Sequence, residues 1–133
     1  MTSLVDRYEN GEFAGVWDAV RLGQVDLHDA TAVAAATMQR VAHNVDLIVG
    51  ALAAAGWRWA YPDVRRARPS NKDLTAIGTL EKRIGPLPVA LRACLTHVGE
   101  VWLCGTLPSW SVPTFAFDDI PGYANLADPL VLP

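Results

Sequence analysis

Residues 30–56 read ATAVAAATMQRVAHNVDLIVGALAAAG, and this stretch decides the fold. Ala34, Met38, Val41, Val45, Ile48, Leu52 and Ala55 follow alternating steps of four and three residues, the spacing of one apolar seam along an α-helix. Asp29 stands where a side chain would accept from the free amides of the first turn, and Gly56 where a left-handed residue would end the helix. The spacing therefore predicts a long helix over about 30–55. It does not predict a membrane span, because Arg40, His43, Asn44 and Asp46 interrupt the run, where each full charge costs about 2.5–3.5 kcal/mol. So regular a seam has to be covered, either by the chain's own helices and sheet or by another subunit or a partner, and a homo-oligomer stays open.

On the N-terminal side, Ser3–Glu9 and Glu12–Leu22 read as short helices broken near Asn10-Gly11, the second with Val16, Trp17 and Val20 on one stripe. On the C-terminal side the period changes to two: Trp57, Trp59 and Tyr61 alternate with Arg58 and Ala60, predicting a short strand with three rings on one face and Pro62 as its end. Next comes a basic segment over 62–73, where Arg65, Arg66, Arg68 and Lys72 are interspersed with Pro62, Pro69, Ser70 and Asn71. Breakers at that density predict a loop. Leu74–Ile84 is predicted helical and closed by Gly85. Pro88 opens a second helix with Leu91, Leu95 and Val98 on one face, closed by Gly99. Val101–Cys104 reads as a buried strand, and after Gly105 the prolines leave room for short extended pieces, best placed at Thr114–Phe117 and Leu130–Leu132.

The chain has 133 residues, 51% hydrophobic and 19% charged, which suits one globular domain over 1–133 and excludes a disordered or fibrous chain. Its parts are a helical segment over 1–56, the basic loop, and a mixed segment over 74–133. The expected class is α+β, with the helix pair of about 74–99 packed on a small antiparallel sheet. A net charge of −3 argues against a dedicated DNA or anionic-membrane binder. The first ten residues lack the basic start and apolar run of a secretory signal, and Cys94 and Cys104 are the only cysteines, so free thiols in the cytoplasm are expected.

Leu80-Glu81, Ile84-Gly85, Leu87-Pro88, Leu91-Arg92, Leu95 and Val98-Gly99, followed by an apolar strand, resemble the opening segment of the SUKH superfamily. That family combines bacterial immunity proteins of toxin systems with eukaryotic regulators of cell-wall synthesis. The resemblance covers about residues 77–105. It implies a bacterial α+β protein-binding module rather than an enzyme, of the kind that neutralises a toxin by occlusion.

The residues themselves offer few routes to chemistry. Cys94, His97 and Cys104 are three soft ligands where structural zinc takes four, so no metal or other cofactor is expected. Ser109 and Ser111 lack a nucleophile elbow, Gly11, Gly15 and Gly23 are too widely spaced to cradle a phosphate, and Asp118-Asp119 reads as a solvated turn. No catalytic residue is assigned. The candidate partner-binding residues are Trp57, Trp59, Tyr61, Arg65, Arg66, Arg68 and Trp110, because tryptophan, tyrosine and arginine most often anchor protein interfaces. Aromatics beside arginines also stack nucleic-acid bases, a reading the acidic total disfavours. The alternative is a small-molecule-binding protein or enzyme with a pocket lined by Trp57, Trp59, Trp102 and Trp110.

Overall fold

The structure is a computed structural model and describes residues 3–109. Five helices and four two-residue strands follow one another in these residues as α1 (Leu4–Glu9), α2 (Phe13–Arg21), α3 (Leu27–Ala54), β1 (Arg58–Trp59), β2 (Arg66–Ala67), α4 (Asn71–Ile84), α5 (Val89–His97), β3 (Glu100–Val101) and β4 (Gly105–Thr106). The class is α+β, mostly helical, with small antiparallel pairings. No helix among the described residues is long and apolar enough to cross a membrane.

Short polar side chains set the helix starts. Ser3 and Ser70 each accept from the amide three residues on, while Asp6 and Asp73 accept in return from the serine amides, so α1 and α4 both open with a reciprocal capping box. The box at Ser70 starts α4 inside the segment expected to be a loop. Similarly, α3 begins earlier than Asp29: the Asp26 carboxylate accepts from the Asp29 amide at 2.8 Å, and Asp29 adds a negative charge to the first turn.

Helix α3 is the spine on which α1 and α5 pack. Its buried residues are small, Ala30, Val33, Ala34 and Ala42, which lets neighbouring helices approach closely. Leu4 and Tyr8 of α1, Val16 of α2 and Val33 of α3 form one apolar cluster, with Trp17, Val20 and Val25 packed around it. The predicted seam is only partly inside. Ala34 is buried and Met38, Val45 and Leu52 are half-buried, but Val41 is 37% and Ile48 46% exposed, and Ala55 is exposed. The covered line instead runs through Ala30, Ala34, Ala42, Val45, Val49 and Leu52. A straight helix drifts about 20° per heptad from a strict seven-residue repeat, so the Val41–Ile48 line rotates off the packed face.

The strands form one interrupted ribbon. Arg58 lies opposite Thr106 and Trp59 opposite Gly105, while Arg66 lies opposite Val101 and Ala67 opposite Glu100. Between the two pieces the Ala60 amide donates to the Cys104 carbonyl at 2.9 Å and the Trp102 amide to the Arg65 carbonyl at 3.0 Å. The strand expected over Trp57–Tyr61 is thus shorter, that expected to be buried over Val101–Cys104 is interrupted after Val101 and runs from half-buried to exposed, and β2 occupies the middle of the supposed loop. An arginine-flanked pair of residues carries no apolar alternation, so its pairing had no signal in the sequence.

Two glycines make the ribbon possible. Gly99, at φ +77°, turns the chain from α5 into β3, and a β-carbon there would collide with the Ala67 carbonyl oxygen. A β-carbon on Gly105 would strike the Arg58 carbonyl and the Trp57 indole. Backbone of the two strands therefore approaches where side chains are missing. The extended pieces expected at Thr114–Phe117 and Leu130–Leu132 lie outside the described residues, as do Trp110, Ser111 and Asp118-Asp119.

Candidate partner-binding site

The register of the ribbon creates a protrusion. Between the pairs Trp59–Gly105 and Arg66–Val101, the six residues 60–65 face the three residues 102–104, so the first strand carries three surplus residues. Chain that has no partner across the ladder must bulge outward. The turn Pro62–Val64 lies in this bulge, with Tyr61 at 53% and Val64 at 42% exposure.

Aromatic contacts hold the base of the bulge. Tyr61 meets Trp102 edge to face at 5.8 Å between ring centroids, and Trp57 meets Trp59 in the same manner at 6.4 Å. The Arg65 guanidinium stands 5.9 Å from the Trp59 ring centroid, and its Nη1 donates to the Pro62 carbonyl at 2.6 Å. Trp57, Trp59 and Arg65 are therefore brought together on one side of the bulge, while Tyr61 packs across the ribbon on Trp102. Trp57 and Trp59 are half-buried, and the Trp57 indole nitrogen is buried without a partner among the described residues.

Arg66 and Arg68 point elsewhere. The Arg66 side chain is 10% exposed; its Nε donates to Asp46 Oδ1 at 2.9 Å, and its Nη1 donates to the Val98 carbonyl at the C-terminal end of α5. Arg68, 65% exposed, pairs with the second Asp46 oxygen. The hydrogen bond from Arg66 and the positive charges of Arg68 and Arg66 hold the Asp46 carboxyl below its ordinary range against the opposing effect of desolvation. Arg66, expected at a partner surface, is thus turned inward, and the charge of Arg68 is matched within the chain.

Asp46, which organises this half of the site, had no mark in the sequence. It sits twenty residues before Arg66 on a helix whose polar positions look solvated. Trp102, expected in a buried strand, is half-buried, and only the register of the ribbon brings it to Tyr61.

The other candidate groups do not converge on chemistry. Cys94 is half-buried and Cys104 exposed, both as free thiols. The ligand-type side chains that do come together among the described residues are Asp26, His28 and Asp29, with atoms within 4.8 Å, and Asp26 is already engaged as the cap of α3. Among the described residues, two concavities lie along α3, one a shallow surface beside Leu27, Thr31 and Ala35, the other a space of about 50 Å³ between α3 and α5 near Ala93 and His97. Neither is lined by a tryptophan. No family model, curated protein or solved structure matches the chain.

Proposed function

We propose that the protein is a protein-binding module that docks its partner on the bulge of the interrupted ribbon, with Tyr61, Val64 and Arg65 as the contact residues. The observation that carries this reading is the three-residue surplus between Trp59 and Arg66, which leaves an exposed tyrosine and arginine at the base of the bulge, against packed rings. Aromatic and arginine side chains in such a setting are the usual anchors of binding energy, and a tyrosine held by its neighbours loses little rotamer freedom on docking. Half-burial of Trp57 and Trp59 makes them the support of the surface rather than its face. The likeness of residues 77–105 to SUKH proteins favours the more specific form, an immunity-type neutraliser in the bacterial cytoplasm that occludes a toxin.

A photo-crosslinking residue at position 64 tests the assignment. It should trap a discrete protein from the host lysate, and Tyr61→Ala should weaken the purified complex by about 2 kcal/mol or more with the fold intact. A complex whose affinity is the same in Tyr61→Ala would place the docking surface elsewhere.

A further inference from the structure

We infer, on the basis of that docking surface, that the partner presents a carboxylate next to an apolar or aromatic side chain, and that Arg65 is the residue that reads it. The Arg65 guanidinium is held between the Trp59 ring and the Pro62 carbonyl, which immobilises it in an exposed position. One donor is taken by Pro62; the others face no carboxylate among the described residues, Asp63 of the same bulge included. A fixed planar fork with free N–H groups matches a carboxylate in two parallel bonds, a geometry that a lysine cannot supply. Tyr61 and Val64 are exposed in the same bulge, so the complementary chain needs an apolar neighbour near its acid.

Charge bookkeeping along the ribbon favours an acidic protein segment over nucleic acid. Asp46 neutralises Arg66 and Arg68, and Lys72 adjoins Asp73 at the start of α4. Arg58 and Arg65 are left as exposed guanidinium groups without an ion pair among the described residues. Two such groups can orient and steer an acidic protein, whereas nucleic-acid affinity rests on neutralising a run of phosphates with many cations. The net charge of −3 would oppose a polyanion further.

Panning a random peptide library against the whole protein tests this. Selected peptides should carry aspartate or glutamate beside an aromatic or aliphatic residue. Arg65→Lys should weaken them by about tenfold, the loss of one charge-assisted bond, with the melting temperature unchanged. Replacing the peptide's acid by its amide should weaken binding to the unaltered protein by at least as much, and combining both changes should cost less than the sum of the two. Peptides that respond to Tyr61→Ala but not to Arg65→Lys or to the amide would overturn the carboxylate inference and leave the docking surface standing. Peptides indifferent to Tyr61→Ala, or a library that yields none, would overturn both. An oligothymidylate bound more tightly than any selected peptide would overturn the choice of a protein partner.

Discussion

Arg66 Nε donates to Asp46 Oδ1 at 2.9 Å and so ties strand β2 to the C-terminal half of helix α3. The same guanidinium reaches the Val98 carbonyl, which makes it a joint between the ribbon and two helices. Its position at the C-terminal end of α5 sets a cation against the negative end of that helix. One of its nitrogens, Nη2, is buried without a partner among the described residues, so the guanidinium gains less than its full set of bonds.

The two partners are unequally placed, and their removal should differ accordingly. Arg66→Ala leaves behind an Asp46 that is 35% exposed and still holds Arg68, and should cost about 1–3 kcal/mol. Asp46→Ala leaves a guanidinium that is 10% exposed with no counter-charge, and should lower stability more. Pairing Asp46→Ala with Arg66→Met should recover part of that loss. Urea denaturation of these variants and of Arg66→Met alone decides; strictly additive effects of Asp46→Ala and Arg66→Met would mean that the joint is not coupled.

Acid should weaken two carboxylate contacts, this joint and the capping box of α4. Asp46 is held below the ordinary aspartate value near 3.8 by Arg66 and Arg68, and Asp73 by its bonds with Ser70. A carboxyl whose folded value is depressed contributes stability that is complete above its unfolded value and lost as pH falls through the folded one. Stability should therefore be flat with respect to these two groups from pH 6 to 8, taken as about the neutral range, and decline below about pH 4. Asp73→Asn should flatten that acid limb. A limb unchanged in the variant would assign it to other carboxyls.

Glycine positions separate backbone constraint from simple flexibility. Gly99→Ala meets both a left-handed φ and the Ala67 carbonyl, and should destabilise by about 2 kcal/mol or more. Gly105→Ala should also destabilise, because the Trp57 indole and the Arg58 carbonyl fill its space. Gly50→Ala and Gly78→Ala, in helices with nothing near the added carbon, should stabilise by about 0.5–1 kcal/mol. Thermal melts of the four variants give the comparison, and a neutral Gly99→Ala would contradict the close approach of α5 and β2.

Local signals carried most of the helical reading. The breaks at Asn10-Gly11, Gly56, Gly85 and Gly99 are chain terminators whose action depends on a few neighbouring residues, and the helices end beside each of them. The ribbon depended on register between segments about forty residues apart, for which one sequence holds no marker. That is why β2 was hidden in a basic loop and why Trp102 was not joined to Tyr61. The gathering of aromatics could be read from their spacing, but the inward turn of Arg66 depends on Asp46, across a separation that charge counting cannot see.

The same distinction between local period and packed face governs the long helix. A heptad line makes Ile48 a core residue, whereas the described chain leaves it 46% exposed and buries Val33 completely. Val33→Asp should prevent folding, because a lone carboxylate in the cluster of Leu4, Tyr8 and Val16 has no counter-charge. Ile48→Asp should change stability by no more than about 0.5 kcal/mol when the protein is dilute. If a second copy covers the Val41–Ile48 line, the melting temperature of the unaltered protein will rise with concentration and that dependence will vanish in Ile48→Asp. Melting curves over a range of protein concentrations, with mass measured in parallel, distinguish the two situations. Unfolding of dilute Ile48→Asp would show that this face is covered within the single chain.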